Sequence, residues 1–254
     1  MGSPLRDFLM PAPLSPISPA TDFILQTDVL TLAGLAQLPI HRVCFDPAAF
    51  TSASLDGHGI SLPANLRGAV AKRQGEFLAG RLAARHALGP FGLGAQTVAI
   101  GQHREPCWPA GMEGSISHSQ LLGKGVALCA VRPREGGLGL DLEAWLDADQ
   151  AAQLWPGIVD KEEWERLAES ATAADLSVAE GLTLVFSAKE SLFKSLYPRV
   201  GRYFDFLDAR WSAMGAETLS LSLKTALAPD LPAGWHCTLH WQRLPGGLLT
   251  LLAL

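Results

Sequence analysis

Gly181–Pro198 reads GLTLVFSAKESLFKSLYP. Leu182 to Phe186 is an unbroken apolar run of strand length, and Ser187 stands before a segment of helical period that Pro198 would stop. On a 3.6-residue repeat, Glu190, Lys194 and Tyr197 share one face. Leu192, Phe193 and Leu196 share another, with the stem of Lys189 beside them. An acid and a base one turn apart therefore point away from the side that packs. Two readings fit. In the structural one, Ser187 and Glu190 form a capping box, and Glu190 with Lys194 is an ordinary helix ion pair. In the functional one, the pair belongs to a site. The stretch alone favours the first, and the rest of the chain shifts the balance.

The 254 residues are 48% hydrophobic and 18% charged, enough apolar material for one large domain or two small ones. Net charge is −5, from 25 acids against 20 bases. That argues against a general nucleic-acid or membrane-surface binder and leaves room for a local basic site. Cys44, Cys107, Cys129 and Cys237 are far apart and form no CxxC pair. They read as reduced thiols of a cytoplasmic protein. There is no apolar run of about 20 residues, the length a membrane span needs. Residues 1–20 carry Pro4, Pro11, Pro13, Pro16 and Pro19 without the apolar core of a signal peptide, and read as an irregular tail.

Along residues 21–135, Thr27–Leu38 suits a strand or short helix, and His41–Phe45 alternates as a strand. Ala64–Leu88 carries the longest helical pattern. It is basic: Arg81 and Arg85 are one turn apart and Arg73 lies two turns before Arg81, a row able to hold phosphates. A solvated basic face is the plainer alternative. Thr97–Ile100 reads as a short strand, and Arg104–Ser119 as an irregular loop around Trp108. Gly114–Ser119 then alternates, Ile116 inward and Ser115, Ser117 and His118 polar. Gly125–Val131 is a strong apolar strand reached through a hairpin turn.

Arg132–Gly137 is a polar, Gly-containing connection, so the chain divides there into 21–135 and 136–254. In LGLDLE, Leu138–Glu143, period two puts Asp141 and Glu143 on one side of a strand and Leu140 and Leu142 on the other. Two acids so close repel unless a cation or base lies between them, and hard oxygen donors of this kind suit magnesium. Asp147–Leu167 is acidic and helical. Tyr203–Ala209, Thr218–Leu223, Trp235–Leu244 and Leu248–Leu254 read as strands of a closing sheet.

The order of these signals is specific. KRQGEFLAGRLAARHAL (Lys72–Leu88) precedes EPCWPAGMEGSISH (Glu105–His118), then GLGLDLE (Gly137–Glu143), FSAKESLFKSLYP (Phe186–Pro198) and YFDFLDA (Tyr203–Ala209). This pattern resembles the 4′-phosphopantetheinyl transferases, in particular the two-lobed monomeric kind related to enterobactin synthetase component D. The resemblance runs from about Arg67 to Ala209, most of the chain. It implies an α+β fold of two similar lobes about a pseudo-two-fold, with coenzyme A between them. It implies transfer of the phosphopantetheine arm to a serine of an apo carrier protein, acyl or peptidyl, with release of 3′,5′-ADP. By the same resemblance Asp141, Glu143 and Glu190 gather around magnesium on the pyrophosphate. Arg73, Arg81 and Arg104, with Ser117 and His118, meet the nucleotide phosphates. Lys189 and Lys194 are the lysines of a K-E-x-x-x-K helix, and Glu190 and Lys194 carry the chemistry.

The residue types agree with that reaction. Phosphoryl-type transfer needs positioning and charge neutralisation more than covalent help. Glu190 can take the carrier serine's proton, directly or through a metal-bound water, and Lys194 can meet charge on the leaving phosphate, a contact worth about 2.7–4 kcal/mol in a barrier. Two other readings stand beside it: a metal-dependent hydrolase of a nucleotide pyrophosphate, and a non-catalytic module binding coenzyme A or a carrier. The complete set of three acids and two lysines argues against the last.

Overall fold

Strands β1 (Ile24–Leu30) and β2 (Ile40–Phe45) pair antiparallel, Leu30 opposite Ile40, in a computed structural model that describes residues 23–254. The proline-bearing tail 1–20 lies outside the described residues. A short helix α1 (Ser52–Gly57) and the main helix α2 (Ala71–Leu88) follow. The helical pattern began at Ala64, but there the chain makes only a 3-10 turn, Ala64–Leu66. Gln74 explains the break: its amide nitrogen donates to the carbonyls of Leu66, Arg67 and Ala69, satisfying a turn that then need not continue as helix.

Strands β3 (Ala99–Ile100) and β4 (Pro106–Cys107) form a two-stranded pair. Strands β5 (Met112–Leu121) and β6 (Lys124–Pro133) form a hairpin, whose tip places Leu122 and Gly123 at positive φ. The first sheet runs β1-β2-β6-β5. Helix α2 covers one face, packing Phe77, Leu78 and Leu82 against Val43, Phe45, Ala127 and Cys129. Gly80 lets β5 come close: a Cβ there would meet Ile116 Cγ2 at 3.1 Å. Ile116 thus faces α2. Ser115 and Ser117, on the opposite face of β5, are buried as well, because the second half of the chain lies over them.

That half contains β7 (Leu138–Ala144), α3 (Ala148–Ile158), α4 (Lys161–Ala173), α5 (Val178–Val200), β8 (Ala209–Met214), β9 (Thr218–Leu223), β10 (His236–Leu244) and β11 (Gly247–Ala253). Its sheet runs β7-β11-β10-β9-β8. Leu138, Leu140 and Leu142 join Leu249 and Leu251 in a core shared with Ile40, Val126 and Leu128 of the first sheet. The alternation read from LGLDLE is the observed one, with Leu140 and Leu142 fully buried in that core.

Helix α5 departs from the sequence reading. Leu182–Phe186 is not a strand but the interior of one helix of 23 residues. The cap is Ser177, whose hydroxyl accepts from Glu180 N–H while Glu180 accepts from Ser177 N–H. Ser187 is therefore not a cap, and Ser187 with Glu190 is not a capping box. The run misleads because Leu182, Thr183, Leu184 and Val185 are all buried, and a helix buried nearly all round has no polar stripe to show its period. Pro198 does not stop the helix either. It sits in the last turn, and the chain leaves at Gly201, φ 68°, whose N–H donates to Tyr197 O.

Tyr203–Ala209 is likewise not a strand. Asp205 and Asp208 cap each other's backbone around a 3-10 turn at Phe206–Asp208, and β8 starts only at Ala209.

Helix α5 lies on β7 at backbone contact. A Cβ at Gly139 would fall 1.8 Å from Ser191 O, and one at Gly137 2.6 Å from Ser195 O. On the other flank, Lys189 Nζ donates to Ile158 O at 2.8 Å and to Glu163 Oε2 at 3.3 Å, both side chains 1% exposed. Glu163 also accepts from the N–H groups of Asp160 and Trp211, tying α4, α5 and β8 together. Removing one partner of such a pair strands a buried charge. Glu163→Ala is expected to lower stability by roughly 3–5 kcal/mol in urea unfolding.

Candidate active site

Strand β5, strand β7 and helix α5 meet at Asp141. Gly137 and Gly139 let α5 approach β7, and β5 lies over β7 from the other half of the chain. Asp141 is 2% exposed. Its Oδ1 accepts from Lys194 Nζ at 2.6 Å and Ser117 Oγ at 2.9 Å, and its Oδ2 from Ser187 Oγ at 2.8 Å. Lys194 Nζ also donates to Ser117 Oγ and to Leu140 O, each at 3.2 Å. The lysine thus crosses from α5 to both sheets. The helix ion pair with Glu190 does not form, because a buried carboxylate is the stronger partner.

Glu143, two residues on along the same side of β7, is pushed up to about 8 by burial and then by the charges of Asp141 and Glu190, against the pull of Lys194. Glu190 is also held above the usual carboxylate range, by burial first; Lys194 pulls it down and Asp141 pushes it up. Among the described residues, neither carboxylate has a hydrogen bond or ion pair to the protein, whereas three of the roughly four acceptor positions of Asp141 are filled.

Among the described residues, no three acids, histidines or cysteines form a preformed metal cage. The donor set nevertheless fits a hard divalent cation of the kind that uses one or two carboxylates and completes its shell with substrate phosphate and water. One position remains on Asp141 Oδ2, and two unpaired carboxylates repel each other beside it.

A cleft of about 390 Å³ is lined by Arg73, Arg81, Arg104 and His118 with Phe77 and Ile116, and its link to the acids is His118, which lies within reach of the charges of Asp141 and Lys194. Arg73 Nη1 lies 2.9 Å from His118 Nε2 and 3.3 Å from Glu76. Burial pulls the His118 imidazole down; Glu76 works against it, and Arg73 and Lys194 add to it. Arg81 is 9% exposed, its guanidinium 4.6 Å from the Phe77 ring centre, and among the described residues its Nε has no hydrogen-bond partner. Burial brings it down to about 10. An arginine with an unmet buried donor facing a cleft is suited to an anion. Arg104 enters the cleft from a left-handed turn, φ 70°.

Three residues of the sequence reading are placed elsewhere. Lys189 points away from the cleft into the Glu163 clasp, so its charge is spent on structure. Arg85 donates to His58 O and Gly59 O rather than extending the arginine row. Ser117 and His118 point to opposite sides of β5, His118 into the cleft and Ser117 to Asp141, as adjacent strand residues must. The sequence reading missed the partners of Asp141 and of the cleft: Ser187, Thr250 behind it, and Glu76 against Arg73 and His118. For Ser187 and Thr250 no local pattern pointed to them, since they meet across 63 positions of chain.

Comparison with known proteins converges on one group. Residues 62–132 match the 4′-phosphopantetheinyl transferase N-terminal domain and residues 137–240 the 4′-phosphopantetheinyl transferase superfamily. The chain is 37% identical over 216 residues to enterobactin synthase component D of Salmonella typhi, covering 84% of this chain and 85% of that protein. To the protein of that name from Escherichia coli O157:H7 it is 42% identical over 158 residues, 61% of this chain and 69% of the other. It is also 34% identical over 165 residues to 4′-phosphopantetheinyl transferase Svp of Streptomyces mobaraensis, 63% of this chain and 64% of that one. Taken with the three-acid edge and the arginine-lined cleft, these similarities show that the chain belongs to the 4′-phosphopantetheinyl transferase superfamily and is an enzyme of that class.

Proposed function

We propose that this protein moves the phosphopantetheine arm of coenzyme A to the serine hydroxyl of an apo acyl or peptidyl carrier protein, in a magnesium-dependent reaction that releases 3′,5′-ADP. The observation that carries the reading is that the cleft bearing three arginines is linked through His118 to Asp141 and Lys194, around which Glu143 and Glu190 gather. Acids alone would repel a pyrophosphate, and arginines alone would bind it without activating it.

In this reading Arg73, Arg81, Arg104 and His118 hold the nucleotide phosphates in the cleft. Asp141, Glu143 and Glu190 would hold magnesium, which when bound supplies charge neutralisation at the pyrophosphate. Glu190 accepts the proton of the carrier serine. The serine oxygen bonds to the phosphorus that carries pantetheine, and the bond from that phosphorus to the oxygen of 3′,5′-ADP breaks. Lys194, its three N–H groups held by Ser117, Leu140 and Asp141, offsets charge developing on the leaving phosphate as a fixed positive charge and not as a free donor. Lys189 takes no part, being sealed against Glu163. The partners are coenzyme A and the carrier, without nucleic acid or membrane. The enzyme works as a cytoplasmic monomer with its four cysteines, free in the structure, reduced. No helix among the described residues is long and apolar enough to cross a membrane.

The direct test is mass spectrometry of apo carriers incubated with the protein, coenzyme A and magnesium. A carrier should gain the phosphopantetheine mass, chelation should abolish the gain, and added magnesium should restore it. Phosphopantetheine released with no carrier modified would instead identify a hydrolase. Glu190→Gln keeps size and helix propensity but removes the anion and the base. Its Tm should stay near wild type while turnover falls by roughly 10²-fold or more. A fully active variant would remove Glu190 from the mechanism. Coenzyme A should bind more tightly than its 3′-dephospho form, and Arg81→Ala should weaken coenzyme A binding in calorimetry. Equal affinity of the wild type for both ligands would count against a 3′-phosphate site in the cleft.

A further inference from the structure

We infer that Ser117 and Ser187 are positioning residues for Asp141, a pair of hydroxyls that clamp its carboxylate from two elements, and that neither side chain contacts the nucleotide. This rests on the transferase reading above. A hydroxyl has one proton and two lone pairs. Ser117 Oγ accepts from Leu142 N–H at 3.2 Å and from Lys194 Nζ at 3.2 Å, and gives its proton to Asp141 Oδ1 at 2.9 Å. Its capacity is then used up, and it is 6% exposed. A phosphate oxygen needs a donor, and Ser117 Oγ has no second proton to offer.

Ser187 makes the same argument from the helix. It is fully buried at mid-helix, where a serine commonly bonds back to a carbonyl of its own helix. Its hydroxyl instead lies 2.8 Å from Asp141 Oδ2 and 2.9 Å from Thr250 Oγ1. An ionised carboxylate only accepts, so the Ser187 proton goes to Asp141, and Thr250 can in turn donate to Ser187. Thr250 Oγ1 also lies 3.0 Å from Ser187 O, and Ser191 Oγ lies 2.7 Å from Thr250 Oγ1 and 3.2 Å from Thr250 O, so these neighbours have other acceptors, whereas the Ser187 proton is committed to Asp141. Ser195, also buried on α5, has no partner among the described residues, so burial alone does not produce this arrangement. With Ser117 and Lys194 on Oδ1 and Ser187 on Oδ2, the carboxylate plane is held from both ends and one acceptor position is left open.

The test uses Ser117→Ala and Ser187→Ala, each removing one oxygen, with two readouts. Calorimetry without magnesium should give both variants the wild-type affinity for coenzyme A and the wild-type preference for coenzyme A over 3′-dephospho-coenzyme A. Turnover with magnesium should fall at least about tenfold in each, the scale of one lost hydrogen bond to a charged group, with KM for coenzyme A little changed. The double variant should lose less than the product of the single losses, because both hydroxyls act on one carboxylate. If Ser117→Ala erased the preference for coenzyme A, Ser117 would be a phosphate ligand and the clamp wrong. Wild-type turnover in Ser187→Ala would overturn its role equally. The two residues lie on different elements, so if one variant failed to fold the other would still decide. A wild-type protein that modified no carrier would reject the transferase reading itself, a result distinct from any difference between variants.

Discussion

A carboxylate taken almost wholly out of water has to be paid for by its neighbours, and Asp141 is the point at which this structure meets that constraint. Three side chains from two other elements converge on it. Lys194 neutralises it at 2.6 Å, and two hydroxyls fill further lone pairs. Without them the charge would cost several kcal/mol. The demand accounts for several features at once. Gly137 and Gly139 bring α5 against β7, so that Ser187 and Lys194 reach the acid. Leu140 and Leu142 anchor the same strand in the core shared by the two sheets. The face of β5 toward β7 carries small hydroxyls rather than apolar side chains, because it must serve a charge and the backbone of a neighbouring strand.

Having satisfied Asp141, the protein leaves Glu143 and Glu190 unsatisfied. One lysine serves three acids, and burial raises the proton affinity of both glutamates. The cleft shows the opposite imbalance: Arg81 is buried beside Phe77 with an unmet donor, and Arg73 is shared between Glu76 and His118. Excess negative charge and excess positive charge thus meet through His118, which lines the cleft and senses Asp141. A ligand carrying both a pyrophosphate and a hard cation would relieve both imbalances together, and sites that relieve such strain only when loaded are where displaced proton affinities gather.

The two lysines of the K-E-x-x-x-K helix show how far like residues can diverge. Five positions apart on α5, they leave the helix on different sides. Lys194 remains a quarter exposed at the acids, whereas Lys189 is sealed into a clasp with Glu163 and Ile158. The clasp ties α4 and β8 to the helix that carries Glu190 and Lys194, so it supports the site from behind without touching it.

Much was legible in the residues. Alternation in LGLDLE identified which leucines enter the core and which side bears the acids, since a strand has only two sides. The order of motifs pointed to the family, and the basic pattern of Lys72–Leu88 located two of the three arginines of the cleft, Arg73 and Arg81. What failed locally failed for local reasons. Leu182–Phe186 looked like a strand because an all-buried helix shows no period, and Ser187 looked like a cap because Glu190 follows at the right spacing. Partner choice lay beyond the sequence altogether. That Lys194 takes Asp141 rather than Glu190, that Lys189 turns inward, and that Ser117 and His118 serve different neighbours depend on contacts across 53, 26 and 24 to 45 positions of chain. Spacing along one element says which side chains share a face. Only the packing of elements says how much water is lost there, and in this protein that loss decides which charges pair and which are left for a ligand.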